Sequence, residues 1–417
     1  MAKYSRTKQN KNAARKNKHG PQDPATRLLP PSTEKLTFKQ KIIRQTRYRR
    51  PPRVVTLLIV ALCLFLGAWV TDYLHNQVLI VKHNISLTSR SSDRLQLSFV
   101  GDIMLDRGNA RKGRHGGYDQ FFSHAQQVWR QSDLTFANLE NVVIDQATQL
   151  GEIEGKNIHF KMDPAGLTAL QKAGFTTVGV ANNHVGDYGE KGVRNTMAAL
   201  NKRQLDFAGL GENKADALKY QLYDIDGIKV SFLAVTDVIP PGTRATDQRA
   251  GMLTTTNDEY LNLIQEAAAQ SDYTVVYAHW GNENGFKVND RQQKLGHQMT
   301  DAGADLVVGM HSHVVQPIEK YKNGLILYSL GNFVFEQQHS RQKDTVVANL
   351  RLDRQGKLTL EVVPMRIKDG VPTITRNPFF KHRIYHQLTK QLPAKNYSKR
   401  PDSLVVRDFG YHYQFKK

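Results

Sequence analysis

From about residue 94 onward, short apolar runs rich in β-branched residues recur, and each ends in a polar cluster. LQLSFVGD (95–102), DLTFANLE (133–140), TTVGVANNH (176–184), YTVVYAHWG (273–281), DLVVGMHSH (305–313) and LILYSLGNF (325–333) all have this form. Helical patterns lie between several of them, at 164–173, 191–203, 258–269 and 290–302. Continuous apolar strands alternating with helices predict an α/β sheet covered on both faces. The runs at 345–352 and 358–367 have no helix between them and predict an antiparallel pair. No internal repeat is visible.

One apolar run is of another kind. VVTLLIVALCLFLGAWV, residues 54–70, carries no charge over 17 positions. A helix of that length spans roughly 26 Å, at the short end of the membrane-crossing range. Arg47, Arg49, Arg50 and Arg53 precede it, so the N-terminus is expected in the cytoplasm and everything after Asp72 outside. A buried core helix would show a polar face, which this run lacks. A cleaved signal peptide would have a shorter basic region and a small-residue cleavage site. The expected organisation is a basic disordered cytoplasmic tail (1–53), a transmembrane anchor (54–74), a juxtamembrane stalk (75–93), a catalytic-type domain (94–375) and a basic C-terminal tail (376–417).

Charge supports this division. The formal net charge is +20, but residues 1–53 hold 16 Lys/Arg against the two acids Asp23 and Glu34. The rest of the chain carries 42 bases and 36 acids, which is nearly balanced. A polar, aromatic-poor basic tail cannot bury enough apolar surface to order itself. Its place before a membrane anchor accounts for the charge, and no nucleic-acid partner is expected. Cys63, the only cysteine, lies inside the anchor, so the exported body can form no disulfide of its own. The C-terminal tail is expected to be chiefly solvated, although Tyr385, Tyr397, Tyr411 and Tyr413 could pack on the domain.

The polar clusters are where chemistry gathers. Asp102 follows the first strand, Glu140 ends the second, and Asn183 with His184 end the third; His279 ends a later strand and His311 with His313 the next. In open α/β sheets the ligand site lies outside the carboxyl ends of the strands. One such residue is more often a cap or turn; five strands delivering them to one edge predict a metal centre. Carboxylates and imidazoles without a thiolate suit Mn, Fe or Zn better than Ca. They outnumber the ligands of a closed structural zinc site and suffice for two divalent transition-metal ions.

The stretches GDIMLDR (101–107), FANLE (136–140), VANNHVGDYGEKG (180–192), HWGNE (279–283), DAGADLVVGMHSHVVQPIE (301–319) and YSLGNFVF (328–335) carry a resemblance. From about Gln96 to Ile367 the chain resembles the capsule-synthesis CapA family (poly-γ-glutamate biosynthesis proteins), itself similar to calcineurin-like metallophosphoesterases. The resemblance implies a four-layer α/β/β/α metallophosphoesterase-like sandwich, here preceded by one transmembrane helix. It implies Asp102, Glu140, Asn183, His279, His311 and His313 as metal ligands, with Glu140 shared between two ions. His184 is implied as a catalytic group meeting the leaving group. Arg107, which can fork onto phosphate or carboxylate, is a second candidate for substrate contact, with a surface ion pair as the equal alternative. Glu283 is either an imidazole-orienting partner or a loop acid, and Asn332 and Phe333 are expected to line or support the site.

Two departures stand out. Met104 occupies the position where phosphoesterases place a histidine, with Asp106 as a candidate substitute, and 309–313 reads Gly-Met-His-Ser-His where the family commonly has Gly-His-His-Pro-His. The implied function is that of a membrane-anchored extracellular hydrolase or transferase. It would act at a phosphoester or amide-type bond in the synthesis, export or anchoring of poly-γ-glutamate or a similar anionic capsule polymer. Its expected partners are that polymer, the membrane and membrane-bound synthase subunits. The alternative is a non-catalytic, metal-containing scaffold that grips polyglutamate.

Overall fold

The computed structural model describes residues 56–67, 93–145 and 150–410. The chain divides into two compact units, Met1–Asn84 and Ile85–Lys417. In the first, residues 56–67 form an exposed helix. Among the described residues no helix is long and apolar enough to cross a membrane. The expected anchor runs past that helix on both sides, and its ends, the 1–53 tail and nearly all of the stalk lie outside the described residues.

The second unit is a mixed α/β fold built on two sheets. Tyr273–His279 is buried along its whole length, as a central strand covered on both faces must be. It lies parallel to Ile228–Thr236 on one side and Leu306–Met310 on the other, within a six-stranded sheet. The ten-stranded sheet is centred on Asp93–Ile103, parallel to Leu134–Leu139 and antiparallel to Asp344–Asp353. The predicted antiparallel pair is present as Asp344–Asp353 against Leu358–Lys368.

Aromatic side chains join the inner faces of the two sheets. Phe136 of the larger sheet stacks on Phe232 of the smaller with ring centroids 4.7 Å apart, and on Phe99 at 5.2 Å. Tyr277 meets Phe232 edge-on at 5.1 Å. The outer face of the smaller sheet is covered by the helices Glu259–Gln270 and Asp290–Asp301, whose Tyr260, Ile264, Leu295 and Met299 cluster with Val276, Ala278 and Trp280. Across the larger sheet, Trp129 packs on Phe175 and Phe333 and donates to the Ala173 carbonyl at the end of the helix Ala165–Lys172. Phe136→Ala should therefore cost about 3–5 kcal/mol, because it opens a cavity between two sheets that cannot close together. Denaturant unfolding measures this; a loss below about 1 kcal/mol would mean that Phe136 does not join them.

The segment from 376 is not a tail. Pro378–Leu388 is a helix capped by Asn377, and Leu404–Val406 and Tyr397–Lys399 extend the larger sheet beyond Leu358–Lys368. Ile384, Tyr385, Leu388, Leu404 and Val406 are buried in the main core. Of the basic residues that suggested a solvated tail, Lys390, Lys395, Lys399 and Arg400 are exposed, whereas Arg383 is partly buried and pairs with Asp344 at 2.6 Å. The domain thus continues past 375 to at least residue 410, and 411–417 lie outside the described residues.

Candidate metal centre

The strand order of the two sheets carries their carboxyl ends to one place. Asp102 sits at the end of Asp93–Ile103, Glu140 directly follows Leu134–Leu139, and His279 is the last residue of its strand. His311 and His313 follow Leu306–Met310. Both adopt positive φ, 84° and 56°, a left-handed conformation that costs a side-chain-bearing residue energy and is tolerated where it aims functional groups.

Two groups of potential ligand atoms result. Glu140, His279 and His311 form one, and Asp102, Glu140 and His313 the other, with the atoms of each within 4.8 Å of one another. Glu140 belongs to both. Asn183 adjoins the first group, its Oδ1 2.8 Å from His279 Nε2. All six predicted ligands thus meet at one buried location, none more than 8% exposed.

This cluster is poorly satisfied on its own. Both carboxylate oxygens of Glu140 and Nδ1 of His311 are buried without a hydrogen-bond partner among the described residues. Leaving such groups unpaired costs about 1–3 kcal/mol each, and more when charged. Buried carboxylates and imidazoles with no thiolate have the donor chemistry of a divalent transition-metal site, so the residues fit the group that the sequence implies. Burial, reinforced by the neighbouring histidines, holds His279 well below its ordinary pKa and pushes His311 down to about 3. Both are therefore neutral, the form that binds metal. Burial also depresses His313, but the Glu140 and Asp102 carboxylates outweigh it and lift the pKa to about 9. Burial and the nearby Asp102 raise Glu140 well above the usual carboxylate range.

Sequence reading missed part of the support. Asn138 donates to Asp102 Oδ1 at 2.8 Å, and its Nδ2 lies 3.5 Å from His279 Nδ1. The signal was available, because two-residue alternation puts Asn138 on the same side of its strand as Glu140. Asn332 plays its expected supporting part, with Oδ1 2.8 Å from His313 Nδ1.

His184 stands at a different kind of position. Its Nδ1 lies 2.8 Å from Asp187 Oδ2, and Asp187 also accepts from the Phe160 backbone (2.7 Å) and Lys156 Nζ (2.5 Å). Lys156 further donates to the Asn183 carbonyl at 2.5 Å. Lys156 Nζ also lies 3.1 Å from His184 Nδ1, and with the lysine donating to Asp187 and the Asn183 carbonyl, an Nδ1–H can donate to Asp187 and leave Nε2 for other partners. Burial lowers the pKa of His184 and of Lys156, and Asp187 opposes the shift in both. Three-residue spacing in His184–Val185–Gly186–Asp187 could have revealed the pair; no sequence signal pointed to Lys156.

Arg107 lies outside the ligand cluster. It is exposed, with its guanidinium 4.8 Å over the Phe160 ring, and that ring lies 4.1 Å from the His184 imidazole. It makes no ion pair among the described residues. Asp106 belongs to neither group of potential ligand atoms; it accepts from the Arg107 and Lys161 amides and caps a helix. Met104 is fully buried with Phe160, Phe335 and Ile367, so the histidine position of phosphoesterases is apolar here. Glu283 is exposed.

Comparison with known proteins agrees with the motifs. The family described as bacterial capsule synthesis protein PGA_cap matches residues 96–337. The capsule biosynthesis protein CapA of Bacillus anthracis is 35% identical over 382 residues, 89% of this chain and 91% of that protein. The PGA biosynthesis protein CapA of Bacillus subtilis (strain 168) is 32% identical over 86% of this chain and 93% of its own length. Among solved structures, a 5'-nucleotidase precursor from Thermus thermophilus overlaps 70% of this chain and 58% of its own, with a TM-score of 0.41 and 14% identity.

Proposed function

The chain belongs to the PGA_cap family of bacterial capsule synthesis proteins, and from that premise we propose that it is a membrane-anchored, metal-dependent hydrolase or transferase acting outside the cell on poly-γ-glutamate or a similar anionic capsule polymer. The role in capsule or polyglutamate synthesis rests on the relatives. The catalytic reading rests on one observation, the fully buried Glu140 carboxylate that two ligand groups share and whose oxygens find no hydrogen-bond partner among the described residues.

Asp102, Glu140, Asn183, His279, His311 and His313 would hold the ions. Divalent ions there would supply Lewis-acid stabilisation of the negative charge that builds up in a displacement. The chain's own residues do the rest. Asp187 fixes the His184 tautomer and leaves Nε2 to exchange a proton with a reacting group. Phe160 covers the imidazole and keeps water from it, and Arg107 above Phe160 presents a fixed positive charge to an incoming anionic chain.

One observation favours the non-catalytic scaffold. With Met104 in an apolar cluster, one ligand of the phosphoesterase pattern is missing. Metal content together with turnover, measured on wild type and on His184 variants, separates the two readings.

The topology has its own test. Four arginines before an uncharged 17-residue run should leave the body outside and the N-terminus inside. Protease added to intact cells or protoplasts should digest the body and spare a small N-terminal remnant. Survival of the body while the N-terminus is cut would reverse the orientation.

A further inference from the structure

Next to His279, the carboxyl edge of the smaller sheet carries a second feature. Asp237 follows the strand Ile228–Thr236, and its backbone N–H donates to the His279 carbonyl at 2.9 Å. Asp237 lines a cavity of about 430 Å³ bounded by the beginning of the helix Glu259–Gln270 and by one side of the helix Asp290–Asp301 from Arg291 to Gln298. That volume lies in the range of sites that take small ligands.

Its wall bears both signs of charge. Asp237 grips Arg291 through Nε at 3.2 Å and Nη2 at 2.7 Å, and Nη1 makes no hydrogen bond among the described residues. The guanidinium is thus held in place with donors to spare, so binding would cost it little further freedom. Asp258 and Lys294 also face the cavity and form no ion pair among the described residues. Tyr260 lines it too; the residue is only 1% exposed, and its hydroxyl has no hydrogen bond among the described residues. The hydroxyl opens on the cavity and offers a ligand atom there both a donor and an acceptor.

We propose that this cavity binds an amino-acid-type ligand bearing both a carboxylate and a free ammonium group. The carboxylate meets Arg291 and Lys294, the ammonium meets Asp258, and the Tyr260 hydroxyl bonds to a polar atom between them. A simple anion would confront Asp258, and a simple cation would confront Lys294 and Arg291. A ligand with both charges complements the wall. None of these residues belongs to the metal-ligand set, so the site stands apart from the reading of that centre.

The test is calorimetric titration of the full-length chain, stripped of metal by a chelator, with γ-glutamyl-glutamate and with its N-acetylated form. The free dipeptide should bind saturably and the acetylated one about 10- to 100-fold more weakly, as for loss of a charged hydrogen bond. Asp258→Asn should erase that difference, and Lys294→Gln should weaken both dipeptides about tenfold. Glu140→Gln, which alters the metal centre, should leave dipeptide binding to the metal-stripped chain unchanged. Both cavity residues are exposed, so these variants fold. Absence of saturable binding, equal binding of the two dipeptides to wild type, or weakening by Glu140→Gln would overturn the proposal. A metal centre that proves empty would leave the outcome of this titration untouched.

Discussion

His184→Asn is expected to keep its metal and to lose turnover by about 10²- to 10⁴-fold, the usual worth of a positioned proton-transfer or charge-stabilising group. The imidazole is bound to Asp187 through Nδ1 and is absent from both groups of potential ligand atoms. Removing it should therefore change the chemical step and spare the metal load. Asp187→Asn should fall in the same direction, because an amide can donate as well as accept and so no longer selects the Nδ1–H tautomer. Generic phosphodiesters and γ-linked glutamate oligomers, each with added Mn²⁺ or Zn²⁺, are the substrates to try. A fully metallated wild type that turns over neither, yet binds polyglutamate equally well with and without His184, would move the assignment to the scaffold reading.

The parts of the fold and site legible in the sequence were those where a local pattern coincides with a global role. Apolar runs ending in polar clusters located Asp102, Glu140, Asn183 and the three histidines, because a strand's buried length and its exposed carboxyl end differ in composition. The pattern misled where neighbouring residues serve different sheets. LILYSLGNF reads as one strand, yet Gly324–Leu327 belongs to the smaller sheet and Asn332–Val334 to the larger. The chain crosses between them at Gly331, whose φ of 74° marks the turn. Nor could sequence spacing reveal Lys156, which reaches Asp187 from a loop 31 positions away. The segment after 376 was misjudged because its charge was read without its periodicity. Ile384, Tyr385 and Leu388 lie on one buried face of the helix Pro378–Leu388, while Lys381, His382 and His386 lie off that face.

Glu140→Gln should abolish metal binding while leaving the metal-free chain nearly as stable as wild type. Glu140 is the one residue common to both ligand groups, so its loss should weaken the hold of either group on a metal ion. Outer-shell changes alone cost metal sites about 10- to 100-fold, and a shared ligand should cost more. The stability side follows from the same burial. In the metal-free chain the carboxylate is fully buried beside Asp102, with neither oxygen hydrogen-bonded. An uncharged amide of the same shape removes that repulsion together with the attraction to His313, so the net change should stay within about 1 kcal/mol. Elemental analysis with denaturant unfolding of the chelated protein measures both effects. The competing assignment makes Glu140 a structural ion-pair partner of His313, whose pKa it helps to lift to about 9. Breaking a buried pair of that kind would destabilise the metal-free chain by about 3–5 kcal/mol. Lost metal with nearly unchanged stability identifies a ligand, whereas retained metal with lowered stability would identify a structural partner.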